Sequence, residues 1–64
     1  MKLKLAWNGQ ETVTAVVSTR STADLSHTEY RLPGGQVVDI DNNNGDAFVF
    51  YQGRTTKLEK AEII

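Results

Sequence analysis

Apolar and polar residues alternate along most of this chain, and the alternation is interrupted at Gly9, Pro33-Gly34-Gly35, Gly45 and Gly53. Successive strand residues point to opposite faces, so the pattern predicts short amphipathic strands joined by turns. Met1 to Trp7 is the clearest, with Met1, Leu3, Leu5 and Trp7 on one face and Lys2 and Lys4 on the other. Asn8-Gly9 taken alone favours a two-residue type I′ hairpin, which sets Leu5 opposite Thr12. A three-residue loop, Asn8 to Gln10, instead sets Leu5 opposite Val13 and Leu3 opposite Ala15. Because a one-residue slip moves every side chain to the other face, the apolar match favours the longer loop.

The same logic applied to Leu32-Pro33-Gly34-Gly35-Gln36 predicts a type I turn with a left-handed Gly35, pairing Tyr30 with Val38 and Thr28 with Ile40. Asn43-Asn44-Gly45 reads as a second turn of this kind, pairing Ile40 with Phe48 and Val38 with Phe50. One face then collects Leu3, Leu5, Trp7, Val13, Ala15, Tyr30, Val38, Ile40, Phe48 and Phe50 as the expected core. Ser18 to Ser26 is polar and reads as a long connecting loop with a possible helical turn at Thr22 to Leu25, capped by Ser21 or Thr22. In the tail, Thr56 and Glu59 have capping-box spacing while Ile63-Ile64 is a β signal. The expectation is a strand, a short helical turn around Leu58 to Ala61 and a terminal β bridge.

These elements predict an all-β domain over residues 1–64. It is a small five-stranded meander closed as a barrel or sandwich, with a short helical turn near the C-terminus. The layout resembles that of SH3-like small barrels, through Ala47-Phe48-Val49-Phe50-Tyr51-Gln52-Gly53 and the closing Leu58 to Ile64. The resemblance is one of architecture and implies a barrel. The acidic loop and aromatic cluster of the proline-peptide-binding members are missing, so it implies no ligand.

A chain of 64 residues has room for one core, which supplies roughly 3 to 5 kcal/mol without a staple. Cysteine is absent, so disulfides are excluded and a cytoplasmic setting is expected. Met1 to Trp7 lacks the continuous apolar stretch of an export signal, and no run is long enough to span a bilayer, so no membrane partner is expected. The formal net charge of -1 lacks the basic excess of a phosphate-tracking domain. It also repels other copies weakly, so homo-oligomers are possible.

Candidate chemistry is sparse. His27, the sole histidine, follows Asp24 and Ser26, but adjacent strand residues face opposite ways and a nucleophile needs its base within reach. Asp39 to Asp46 alternates carboxylates and amides, the hard oxygen donors that calcium takes. Counted from Asp39, however, Asn44 stands where an EF-hand needs glycine and the bidentate glutamate is missing. Asn- and Asp-rich composition is what a turn selects, so no metal and no cofactor is expected. No strand-to-helix step carrying Lys-Ser/Thr follows the glycines, which removes a phosphate cradle.

Two sets of residues remain. Val16, Val37, Val49 and Tyr51 fall opposite the expected core; either bent strands draw them into the core at corners, or they form a contact surface. Lys2 and Lys4, with Arg31 and Arg54 beside them, could form a basic stripe with Trp7 and Tyr51 as stacking platforms. The expectation is a non-enzymatic protein-binding or assembly module whose site is Val37, Val49 and Tyr51 and whose partner is another protein or itself. The alternative is a small nucleic-acid-binding accessory protein using the strand-one lysines.

Overall fold

The computed structural model describes Met1–Ile64 and is all-β. Its eight strands are β1 Lys2–Trp7, β2 Gln10–Ala15, β3 Ser18–Ser21, β4 His27–Arg31, β5 Val37–Asp41, β6 Ala47–Tyr51, β7 Arg54–Leu58 and β8 Lys60–Ile63. They form two antiparallel sheets, one ordered β2-β1-β8 and the other the meander β3-β4-β5-β6-β7. No ladder closes the sheets into a barrel. The chain crosses between them twice, at Val16-Val17 and at Glu59. Val16 N donates to Met1 O at 3.1 Å, Val17 N to Arg31 O at 2.8 Å and Glu59 N to Ala6 O at 2.8 Å.

The core lies between the sheets and consists of Leu3, Leu5, Tyr30, Leu32, Val38, Ala47 and Leu58, with Trp7, Val16, Ile40, Val49 and Ala61 packed against it. Leu3 and Leu5 arrive on one face of β1 as the alternation requires. The Pro33-Gly34-Gly35 turn also forms as expected. Gly35 N donates to Leu32 O at 3.1 Å, Gly35 has φ 88° in the left-handed region that only glycine enters cheaply, and Tyr30 pairs with Val38 and Thr28 with Ile40.

Two registers differ from the apolar matching, and both differences have local causes. Asn8 (φ 50°) and Gly9 (φ 73°) form the two-residue type I′ turn, so Leu5 pairs with Thr12 and Leu3 with Thr14. Val13 and Ala15 thereby leave the core; Val13 lies outside, opposite Lys4, and is 52% exposed. In the third hairpin the loop holds four residues, because Asp41 N donates to Asp46 O and Gly45 N to Asp41 O, each at 2.8 Å. Ile40 then pairs with Ala47 and Val38 with Val49. Ala47 and Val49 turn inward, while Phe48 and Phe50 turn outward from the expected core positions.

Two further expectations are corrected. Ser18–Ser21 is a strand, held by pairing from Ser18–Arg31 to Ser21–Thr28, with a tight turn rather than a helical one after it. No helical turn closes the tail. Only a bend at Glu59 separates β7 from β8, and the Glu59 carboxylate accepts from Gly9 N at 2.9 Å instead of capping a helix at Thr56.

The register makes a stability prediction. Leu3 is fully buried, so Leu3→Ala should cost about 2 to 5 kcal/mol, most of the stability of so small a domain. Phe50 is 41% exposed, and Phe50→Ala should cost about 1 kcal/mol or less. Urea unfolding followed by circular dichroism checks this; a larger loss at Phe50 than at Leu3 would contradict the register.

Candidate functional site

An open groove of about 350 Å³ lies between the inner faces of the β1–β2 and β6–β7 hairpins. Leu5 and Trp7 enter from β1, Val49 and Tyr51 from β6, Leu58 from β7 and Leu32 from the end of β4. Polar lining comes from Thr12, Thr14, Gln36 and Thr56. The two threonines of β2 face inward only because the Asn8-Gly9 turn has two residues, so a local backbone preference decides the chemistry of this wall. The facing hairpin is closed by a like turn at Gln52 (φ 50°) and Gly53 (φ 76°), which sets Tyr51 opposite Arg54. Tyr51 is 43% exposed and its ring lies near Gly35, where a side chain would come into contact with it.

Of the residues expected to form a binding surface, the structure brings Val49 and Tyr51 together in this groove. Val37 lies on the opposite face of the sheet, paired with Phe50. Val16 packs against the core at the first crossing between sheets. Alternation did not reveal Leu32, which follows β4, or Thr12 and Thr14, which the Asn-Gly rule would have found.

The four cations of the nucleic-acid alternative are dispersed. Lys2 and Lys4 lie on the outer face of the three-stranded sheet, where Lys4 Nζ is 3.3 Å from Glu11 Oε2. Arg31 is on the outer face of the five-stranded sheet, between Ser18 and Val37. Arg54 shares the Tyr51 side of the last hairpin.

The Asp24, Ser26 and His27 trio builds a turn and no relay. Asp24 Oδ1 accepts from Ser26 N at 3.0 Å, Ser26 Oγ at 2.8 Å and Thr22 Oγ1 at 2.8 Å. The His27 ring points away, with Nδ1 3.4 Å from Asp39 Oδ1. Neither of these buried atoms has a hydrogen-bond partner. In the Asp- and Asn-rich segment, Asp41 Oδ1 accepts from Asn43 N at 2.8 Å and Asn44 Oδ1 from Asp46 N at 2.9 Å. These oxygens close the turn, and nowhere are three His, Asp or Glu side chains gathered as metal ligands.

No protein-family model, no curated protein and no solved structure matches the chain.

The Asp24 turn carries a pH prediction. Hydrogen bonds from the Ser26 amide, the Ser26 hydroxyl and the Thr22 hydroxyl hold the carboxyl down at about 2, against an ordinary 3.8. A depressed carboxylate contributes stability that is present above pH 3.8 and is lost as pH falls toward about 2. Nuclear magnetic resonance titration of the Asp24 carboxyl carbon should show the low midpoint in the native protein. Ser26→Ala removes the hydroxyl bond and keeps the amide, so it should raise the midpoint part of the way toward the ordinary value, and an unchanged midpoint would contradict the hydroxyl's share.

Proposed function

We propose that this protein is a non-enzymatic protein-binding module that takes an apolar side chain of a partner into the groove between Trp7 and Tyr51. The observation carrying this reading is the groove itself. A domain with a core of seven buried residues leaves a cleft of about 350 Å³ unfilled and sets one half-buried and one exposed aromatic ring on it. Apolar concavities with a few polar groups are the usual shape of binding sites, and aromatic anchors dominate interface energetics. Thr12, Thr14, Gln36 and Thr56 offer hydroxyls and an amide that orient an extended backbone without adding charge.

This reading is favoured over nucleic acid because Lys2, Lys4, Arg31 and Arg54 do not share one surface, and phosphate tracking needs a continuous run of cations. The architectural proposal is an SH3-like barrel, with the crossings at Val16-Val17 and Glu59 as its corners.

Selection of peptides from a random display library on the immobilised protein tests the function. Trp7 is the sole tryptophan and lines the groove, so its emission reports occupancy directly. Selected peptides should shift that emission, and Tyr51→Ala should weaken them by about tenfold or more, the loss of a hot-spot anchor of roughly 1.4 to 2 kcal/mol. Selected peptides that leave Trp7 emission unchanged and bind Tyr51→Ala equally well would contradict the groove as the site.

A further inference from the structure

We propose that the outer face of the five-stranded sheet is a self-complementary interface through which two copies of this chain pack sheet to sheet. Two cross-strand rows span all five strands of this face, and His27 pairs with Asp41 at its edge. One runs Arg20, Glu29, Asp39, Phe48, Lys57 and the next runs Ser18, Arg31, Val37, Phe50, Thr55. Val37, Phe48 and Phe50 form an apolar centre that the register turned away from the core, and Phe50 remains 41% exposed. Glu29 and Arg31 sit two residues apart on β4, both exposed, and neither has an ion-pair partner within its own chain.

The charge pattern selects the partner. A two-fold axis lying in the interface and perpendicular to the strands exchanges the two rows. Glu29 then meets Arg31 of the second copy, Arg31 meets its Glu29, Phe48 meets its Phe50, and Arg20 and Lys57 meet the hydroxyls of Ser18 and Thr55. An axis parallel to the strands through β5 would instead set Arg20 over Lys57, which repel. Isologous contacts require that one patch complement itself, and the first arrangement meets that condition. Aligned sheets pack about 30° apart, a small enough angle to keep facing rows in reach. Asp39 comes over Val37 of the second copy, and its Oδ1 lies 3.4 Å from Nδ1 of His27 in its own chain.

Area sets the strength. Five strands about 4.8 Å apart and five residues at about 3.3 Å each present roughly 400 Å² per copy, half the roughly 800 Å² of a standard interface. The dimer is therefore weak and forms only as concentration rises. It uses the face opposite the groove, so its success or failure is independent of peptide binding there.

Sedimentation equilibrium from about 10 μM to about 1 mM, the range that brackets a weak interface, tests the proposal. The weight-average mass should rise from 7.1 kDa toward twice that value, and Tyr51→Ala should behave alike. Glu29→Arg and Arg31→Glu should each stay monomeric, their dimer weakened by about tenfold or more because like charges then face each other twice. Mixed in equal amounts, these two variants should dimerise, since both pairs that positions 29 and 31 make across the interface become opposite in sign. Phe50→Ser should also abolish association. A native mass fixed at 7.1 kDa throughout, or a mixture no heavier than its components, overturns the proposal.

Discussion

The turn from Asp41 to Asp46 is the constraint from which the two surfaces of this small domain follow. Four loop residues separate the paired Asp41 and Asp46, and the turn is locked by side chains as well as backbone: Asp41 caps Asn43 N and Asn44 caps Asp46 N. Asn42 is drawn out of the ladder toward the neighbouring hairpin. Its backbone N–H donates to Ser26 O at 2.8 Å, and its side-chain amide donates to Leu25 O at 2.9 Å and Thr28 Oγ1 at 3.0 Å. A strand has period two, so this loop length decides which face of β6 is buried. Ala47 and Val49 go in; Phe48 and Phe50 go out.

Both surfaces inherit that decision. With Val49 and Tyr51 inward, the β6–β7 hairpin faces Trp7 and Leu5 across a space that small residues and threonines do not fill. A one-residue shift would set Phe48 and Phe50 where Ala47 and Val49 stand and bring much larger side chains to this face. With Phe48 and Phe50 outward, the opposite face gains an apolar centre framed by charges of both signs. The cost falls on stability: a core built on seven buried residues has little reserve, and the groove withholds part of the apolar area that would otherwise be buried.

The all-β class, strand β1 and the Tyr30–Val38 pairing were legible in the sequence because one face is apolar and the turn chemistry agrees with it. Three features were not. β6 is apolar on both faces, so alternation cannot orient it, and the deciding interactions of Asn42 are tertiary. β3 has no apolar residue in Ser18–Ser21 and exists because β4 offers it a ladder. The Thr56–Glu59 spacing suggested a helix cap, yet the Glu59 carboxylate reaches Gly9 N, 50 residues away. Of the candidate site, Val49 and Tyr51 were legible as apolar residues left over from the expected core, whereas their groove partners were not. Apolar matching overrode an Asn-Gly turn whose backbone twist suits a two-residue hairpin, and with it the inward threonines were lost.

The register of β5 against β6 is thus the claim on which the groove, the outer face and the energetics all rest. Backbone nuclear Overhauser effects across this hairpin measure it directly, independently of any ligand or partner. Cross-strand contacts should join Val38 to Val49 and Ile40 to Ala47. Contacts joining Val38 to Phe50 and Ile40 to Phe48 would contradict it, returning both phenylalanines to the core and closing the groove.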